Sequence, residues 1–218
     1  MFYGAFILVS GNNTQQMDKK DFLKTLAQKG YDIGFGAKKN FSSYDIINKL
    51  PSWVGFTSLV IGIIQIAYKN IPFDKELSIL LIFVGVAIMY IDVFKAKADD
   101  FNNEGIRLTR IFNSTRDLYF LAKSDNNFDY QNYEIRYQNL LNDFYSQTIS
   151  KQVFMSQWFA HYKLFYEMQV EWIEEELKLK FFKDKVPNSL KTTILTIFII
   201  TLICVLYEYR TNIQGFFK

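Results

Sequence analysis

Cysteine and histidine are almost missing from this sequence: one of each, Cys204 and His161, in 218 residues. A lone cysteine excludes an intrachain disulfide framework and any zinc or iron–sulfur site built on several thiolates. A lone histidine excludes every site that needs two imidazoles from one chain. Proline occurs three times, at Pro51, Pro72 and Pro187, which points to long helices. The net charge is +3, too small to argue for nucleic acid, and no direct nucleic-acid partner is expected. There is no nucleotide-binding loop, since Gly34 and Gly36 make only G-x-G, and no G-x-S-x-G or H-E-x-x-H. The expectation is therefore a protein that is not an enzyme, with no catalytic residue, no metal and no cofactor.

Apolar residues are plentiful, at 50% of the chain, beside 22% charged residues. This mixture is neither disordered nor embedded end to end in lipid. The apolar residues concentrate in three uncharged runs: Pro51–Tyr68, Leu77–Ile91 and Thr192–Tyr207. With their flanks, each has just the length a helix needs to cross a hydrocarbon layer about 30 Å thick. The prolines fall at run edges, and Trp53, Tyr68, Tyr90, Tyr207 and Tyr209 lie near run ends, where aromatic rings favour the headgroup level. The link from Lys69 to Glu76 is short, so the first two spans should form a tight antiparallel hairpin. Met1–Gly11 is apolar at first but lacks the basic start of a signal peptide.

Lysine and arginine set the orientation. Residues 36–50 carry Lys38, Lys39 and Lys49; residues 95–110 carry Lys95, Lys97, Arg107 and Arg110; residues 177–191 carry Lys178, Lys180, Lys183, Lys185 and Lys191. The link has only Lys69 and Lys75, and the tail only Arg210 and Lys218. The positive-inside rule places residues 1–50 and 95–188 in the cytoplasm of a multi-pass inner-membrane protein. The expected fold is all-α: cytoplasmic N-terminal helices (1–50), a two-span hairpin (51–94), a cytoplasmic helical bundle (95–188) and a third C-terminal transmembrane helix with a short outer tail (189–218).

The cytoplasmic parts have helical periodicity. Phe101, Leu108, Ile111, Leu118 and Ala122 form one face, and Tyr130, Tyr133, Tyr137, Leu140, Leu141 and Phe144 form another after a turn at Ser124–Asn127. Phe154, Trp158, His161, Phe165, Met168, Trp172, Glu175 and Leu179 alternate by four and three, as in a coiled coil. Trp158, His161, Phe165, Met168 and Trp172 are accordingly the candidate interface of a homo-oligomer. His161 reads as a packed or interface histidine or as a pH sensor. Before the first span, Phe22 and Leu26 start an amphipathic helix. Gly34 and Gly36 should break it, with a restart near Ala37, and Ser42 or Ser43 should cap a further turn. Glu174–Glu176 reads as a solvated helix face.

Polar residues inside the runs are candidates for lining a pore or bonding between helices: Gln65 in the first, Thr193 and Thr196 in the third. Gly55 and Gly62 offer a smooth packing face. Asp92 sits near a span end beside Lys95, as an anchor. Cys204 lies within the third run as a packed or lipid-facing residue.

Three stretches resemble the SLATT group of bacterial membrane effectors: Y-D-I-G-F-G-A-K-K-N-F (Tyr31–Phe41), S-Y-D-I-I-N-K-L (Ser43–Leu50) running into Pro51-Ser52-Trp53, and Lys95–Tyr119 after the hairpin. The likeness covers most of residues 20–180, and the third run departs from the minimal two-span form. The resemblance implies an effector of a nucleotide-signalling or other anti-phage conflict system, forming pores or disrupting membranes when a sensor partner releases it. It brings an operon-encoded partner and the lipid bilayer as expected partners, and no catalytic residues.

Overall fold

The computed structural model describes residues 17–68, 71–147 and 152–216, apart from the side chains of 204 and 207–216. The expectations for Met1–Gly11, Lys69, Cys204, Tyr207, Tyr209, Arg210 and Lys218 fall outside those residues. Among the described residues all regular structure is helical. In chain order these are α1 (Lys19–Ala67), α2 (Asp74–Asp92), a 3₁₀ turn (Lys95–Lys97), α3 (Ala98–Ser124), α4 (Gln131–Tyr145), α5 (Ser156–Glu167), α6 (Glu171–Leu177), a π turn (Phe181–Lys185) and α7 (Asn188–Phe216).

Helix α1 organises the molecule. The Asp18 carboxylate caps its start by accepting from the Asp21 N–H at 2.7 Å. It then runs for 49 residues, roughly 70 Å at 1.5 Å per residue, across the expected boundary at residue 50. Two expectations are corrected here. No break occurs at Gly34 and Gly36, and Pro51 lies inside the helix instead of starting one. Glycine weakens an isolated helix, but here it lets other helices approach. A Cβ on Gly30 would overlap the Trp172 ring, and one on Gly34 would sit 3.0 Å from Phe112. Ser42 and Ser43 are therefore mid-helix, not caps.

The first half of α1 is wrapped by a bundle of α3, α4, α5 and α6. Phe22, Leu26, Ile33 and Ala37 form its buried stripe, spaced by four, seven and four. Phe22 sits within 5.5–5.8 Å, centroid to centroid, of Phe128, Tyr130, Tyr133 and Tyr137. Leu108, Ile111, Phe112 and Tyr119 of α3, Leu164 of α5 and Trp172 and Ile173 of α6 complete this core. The expected faces of α3 and α4 are those that turn inward, and the turn after Ser124 is present.

The expected continuous stripe from Phe154 to Leu179 is corrected. Met168 is extended (φ −121°, ψ 144°), which ends α5, and Lys178 ends α6 in the left-handed region at φ 50°. The break lets α6 fold across α1 and α3 and bring Trp172 onto Gly30.

Beyond Leu50 the surroundings of α1 change completely. Trp53, Phe56, Leu59, Ile63 and Ile66 are exposed, as are most apolar side chains of α2 and the described ones of α7 from Ile194 onward. On α2 the less exposed positions, Leu77, Leu81, Val84, Ile88 and Ile91, repeat by four, three, four and three, the seam of an antiparallel hairpin with α1. Among the described residues α1 is long and apolar enough to cross a membrane. Helix α2 counts as a second candidate with α3 beyond it, across a 45° bend. In α7 the apolar stretch among the described residues is Asn188–Ile203.

Candidate functional site

The place where the bundle meets the exposed apolar hairpin is a junction of unusual composition. A second, smaller core lies there, made of Ile46 and Ile47 of α1, Ile91 of α2, Ala98 and Phe101 of α3, and Val153. Between it and the main core, α1 buries three polar residues in succession: Asn40, Ser42 and Ser43. The Asn40 amide donates to the Gly36 carbonyl at 2.9 Å. The Ser43 hydroxyl reaches Gln152 Oε1 at 2.8 Å and the Lys39 carbonyl at 3.1 Å. The Ser42 hydroxyl is buried with no hydrogen-bond partner among the described residues. Buried polar atoms need specific partners, so this layer favours one register of α1 against its neighbours.

Charges lock the same level. Lys163 of α5 pairs with Asp45, which also receives Lys49 at 2.6 Å. Burial pushes the Asp45 carboxyl up, but the hydrogen bonds from Lys163 and Lys49 outweigh it and hold the group below its usual range. On α3, Glu104 is buried and accepts from Nε and Nη2 of Arg107 at 2.7 Å each, while Arg107 also donates to the carbonyls of Asp143 and Gln147. That pair fastens α4 to α3 beside the junction. At the far end Lys19 donates to the Lys123 and Asp125 carbonyls at 2.8 and 2.7 Å, closing the C-terminus of α3.

The sequence-predicted residues fall in three groups. Gln65 is at the tip of the hairpin. Its amide donates to Asp74 Oδ1 at 2.7 Å, to Ser78 Oγ at 3.1 Å and to the Asp74 carbonyl at 3.2 Å, an interhelical clasp. Thr196 donates to the Thr192 carbonyl at 2.9 Å along its own helix, and Thr193, one residue on from Thr192, is half-buried. The junction residues come from none of the three groups.

The five residues read as an oligomer face all make contacts within this chain, with Trp158, Phe165 and Met168 only half-buried. Trp158 donates to Ser189 Oγ at 3.0 Å and so ties α5 to the start of α7. His161 is buried 4.8 Å, centroid to centroid, from Phe35. Phe165 lies against Tyr31 and under the Lys185 ammonium, Met168 packs on the main core, and Trp172 is inside it. The physical reason is supply: α1 is continuous, so it provides the partner surface that a second copy would otherwise give. Burial lowers the His161 pKa, partly offset by a hydrogen bond to the Lys185 backbone. Glu174, Glu175 and Glu176 are likewise not merely solvated. They meet Lys185 at 2.5 Å, Lys123 at 2.7 Å and the Tyr119 hydroxyl at 2.9 Å.

Sequence reasoning missed Asn40, Ser42, Asp45, Glu104, Gln152 and Lys163 as a set. A signal existed for Asn40: it continues the buried stripe of Ile33 and Ala37, so a polar residue stands where the helix phase demands an apolar one.

With an α1 and α2 hairpin carrying a bundle on one side, the family comparison becomes decisive. A family model described as SMODS and SLOG-associating 2TM effector domain 6 matches residues 17–194. The chain belongs to this family, SLATT. The match takes in α1 to α6 and only the first turns of α7. SLATT domains are effector domains of conflict systems assembled from several genes, and the two transmembrane segments in the description accord with the exposed hairpin. No curated protein and no solved structure matches the chain. Among the described residues no cluster of metal-ligating side chains occurs. The SLATT chain thus has a built junction and a clasped hairpin, and these are what its chemistry has to work with.

Proposed function

We propose that this chain is the membrane effector of a bacterial anti-phage system, one that oligomerises and permeabilises the inner membrane when an operon-encoded sensor partner is triggered. In this reading it is not an enzyme. The bundle faces the cytoplasm, as the lysine and arginine distribution favours, and α7 forms a third span. The α7 reading is supported by its exposed apolar residues from Ile194 to Leu206 and by Thr192, Thr196 and Thr201, whose hydroxyls bond to carbonyls four residues back. In lipid a hydroxyl has to find such a partner.

The observation that carries the proposal is the continuity of α1. One helix runs unbroken from the centre of the bundle core to Gln65 at the hairpin tip. A partner that binds one arrangement of the bundle better than another changes the tilt of the hairpin by the same rigid element. The polar layer and the Asp45–Lys163 pair define the resting register. Displacing α1 against α5 separates them, and copies then associate through the hairpins. Gln65 leaves Asp74 and Ser78 and faces water.

A fluorescence leak assay in liposomes tests this. The full chain with its activated partner should release trapped dye, and cells carrying the active operon should lose membrane potential. Intact potential and sealed liposomes, with the partner demonstrably active, would refute permeabilisation. A second reading, a non-conducting membrane scaffold that recruits a soluble defence partner through its bundle, is favoured by one fact: Gln65 is fully engaged within its own hairpin. Killing that survives Gln65→Leu and travels with a co-purifying protein would select the scaffold.

A further inference from the structure

We propose that a pocket between α1 and α5 holds the phosphate and glycerol-ester end of a membrane phospholipid, with the acyl chains leaving past Leu50 and Trp53. The inference rests on the membrane reading above and deepens it. The pocket has a volume of 370 Å³, within the range of about 300–1,000 Å³ usual for small-molecule sites. Ile46, Leu50 and Trp53 of α1 face Phe159 and Tyr162 of α5 across it. Its lower end at Trp53 is continuous with the exposed apolar surface of α1, where Trp53 and Phe56 are uncovered.

The upper end is polar and built. Ser42 lines it, with no exposed surface and a hydroxyl that meets no partner among the described residues. A buried hydroxyl left unpaired is unfavourable, and an ester or phosphate oxygen is the acceptor it lacks. Lys49 and Lys163 also line the pocket, with Asp45 between them. Glu167 completes the rim and lies close to Lys38. Two ammonium groups and two carboxylates line the pocket; Lys38, outside the lining, offsets Glu167, which leaves the pair Lys49 and Lys163 against Asp45 and room for a phosphodiester of one negative charge. An ammonium carries three donors, so Lys49 can hold Asp45 and a phosphate together. A soluble phosphate would use the lysines but leave the carbon-lined lower half filled with water. A lipid satisfies both halves. Its presence would wedge α1 against α5 at the level of the polar layer, so the bilayer itself would become part of the resting state.

The test is photolabelling of the full chain in phosphatidylethanolamine–phosphatidylglycerol liposomes that carry a phospholipid with a diazirine close to the ester. Peptides are read by mass spectrometry. The expected result is label on Ser42–Leu50 and Phe159–Glu167 as well as on the exposed apolar parts of α1 and α2. Phe159→Asp, at an exposed rim position, and Ser42→Val, which removes the hydroxyl, should each lose the pocket label and keep the hairpin label. Hairpin label without pocket label would overturn the lipid site and leave the membrane reading standing. No label anywhere would overturn both. Pocket label abolished by millimolar inorganic phosphate would also overturn the proposal, since the occupant would then be a soluble anion.

Discussion

The two halves of α1 are made by the same backbone and obey opposite rules. From Lys19 to Ile47 the helix has one buried stripe, and its glycines are contact points: Trp172 fills the space over Gly30, and the Phe41 ring on α1 comes within 2.8 Å of where a Cβ on Gly105 of α3 would stand. From Leu50 to Ala67 nearly every apolar side chain faces outward, and Gly55 and Gly62, like Gly85 on α2, have nothing within 4 Å. In the first half the hydrophobic effect drives water away from one face. In the second only the seam with α2 is covered, as the membrane reading expects of a hairpin whose surroundings are themselves apolar. A glycine on the first half is therefore spent on intrachain packing, and one on the second is available for contact with lipid or another copy.

The comparison breaks most visibly with Gly30→Val. The new side chain enters the Trp172 ring, and overpacking of this kind costs about 3 kcal/mol, read as a lower urea or thermal midpoint of the purified protein. Gly62→Val should leave that midpoint unchanged, and equal losses at the two sites would contradict the division of α1. Next comes Arg107→Ala. It strands the buried Glu104 carboxylate and frees α4, and for a partly exposed pair the loss is about 2 kcal/mol. The same measurement on Glu104→Gln should recover part of it.

In the hairpin the effects are smaller. Gln65→Leu removes one interhelical clasp, worth about 0.6 kcal/mol on average in membrane helices. It should spare the unfolding midpoint while loosening the hairpin, seen as a wider distance distribution between spin labels at the two helix ends. A pH series sharpens the comparison on the bundle side. The His161 pKa is lowered on folding, so the unfolded chain binds more protons once the pH falls below its ordinary value of 6.5. Bundle stability should be complete above that pH and decline as pH falls toward the folded value. His161→Phe should flatten the decline, and an unchanged pH profile would show that His161 does not carry it.

Much of this was legible in the residue order. The faces of α3 and α4, the turn after Ser124 and the apolar hairpin follow from spacing alone, because each depends on neighbours three or four residues apart. The glycines at 34 and 36 misled, since a glycine that breaks a helix and one that admits a neighbouring side chain, here Phe112 over Gly34 and Leu108 over Gly36, have the same symbol. The stripe from Trp158 to Trp172 carries a related lesson: periodicity reveals that a face is buried without revealing what buries it. Asn40 was readable as a polar residue in an apolar phase, whereas its link with Gln152 spans 112 residues and could not be read locally.

The sequence by itself determined the helices, their apolar faces and the split between charged and greasy regions, for these are short-range consequences of backbone geometry and solvation. Only the tertiary structure decided that α1 belongs to both regions, that its own chain covers α5 and α6, and that Ser42, Asp45 and Lys163 share one pocket. Those outcomes depend on which surfaces compete for the same partner in three dimensions. A continuous helix wins that competition by being covalently present.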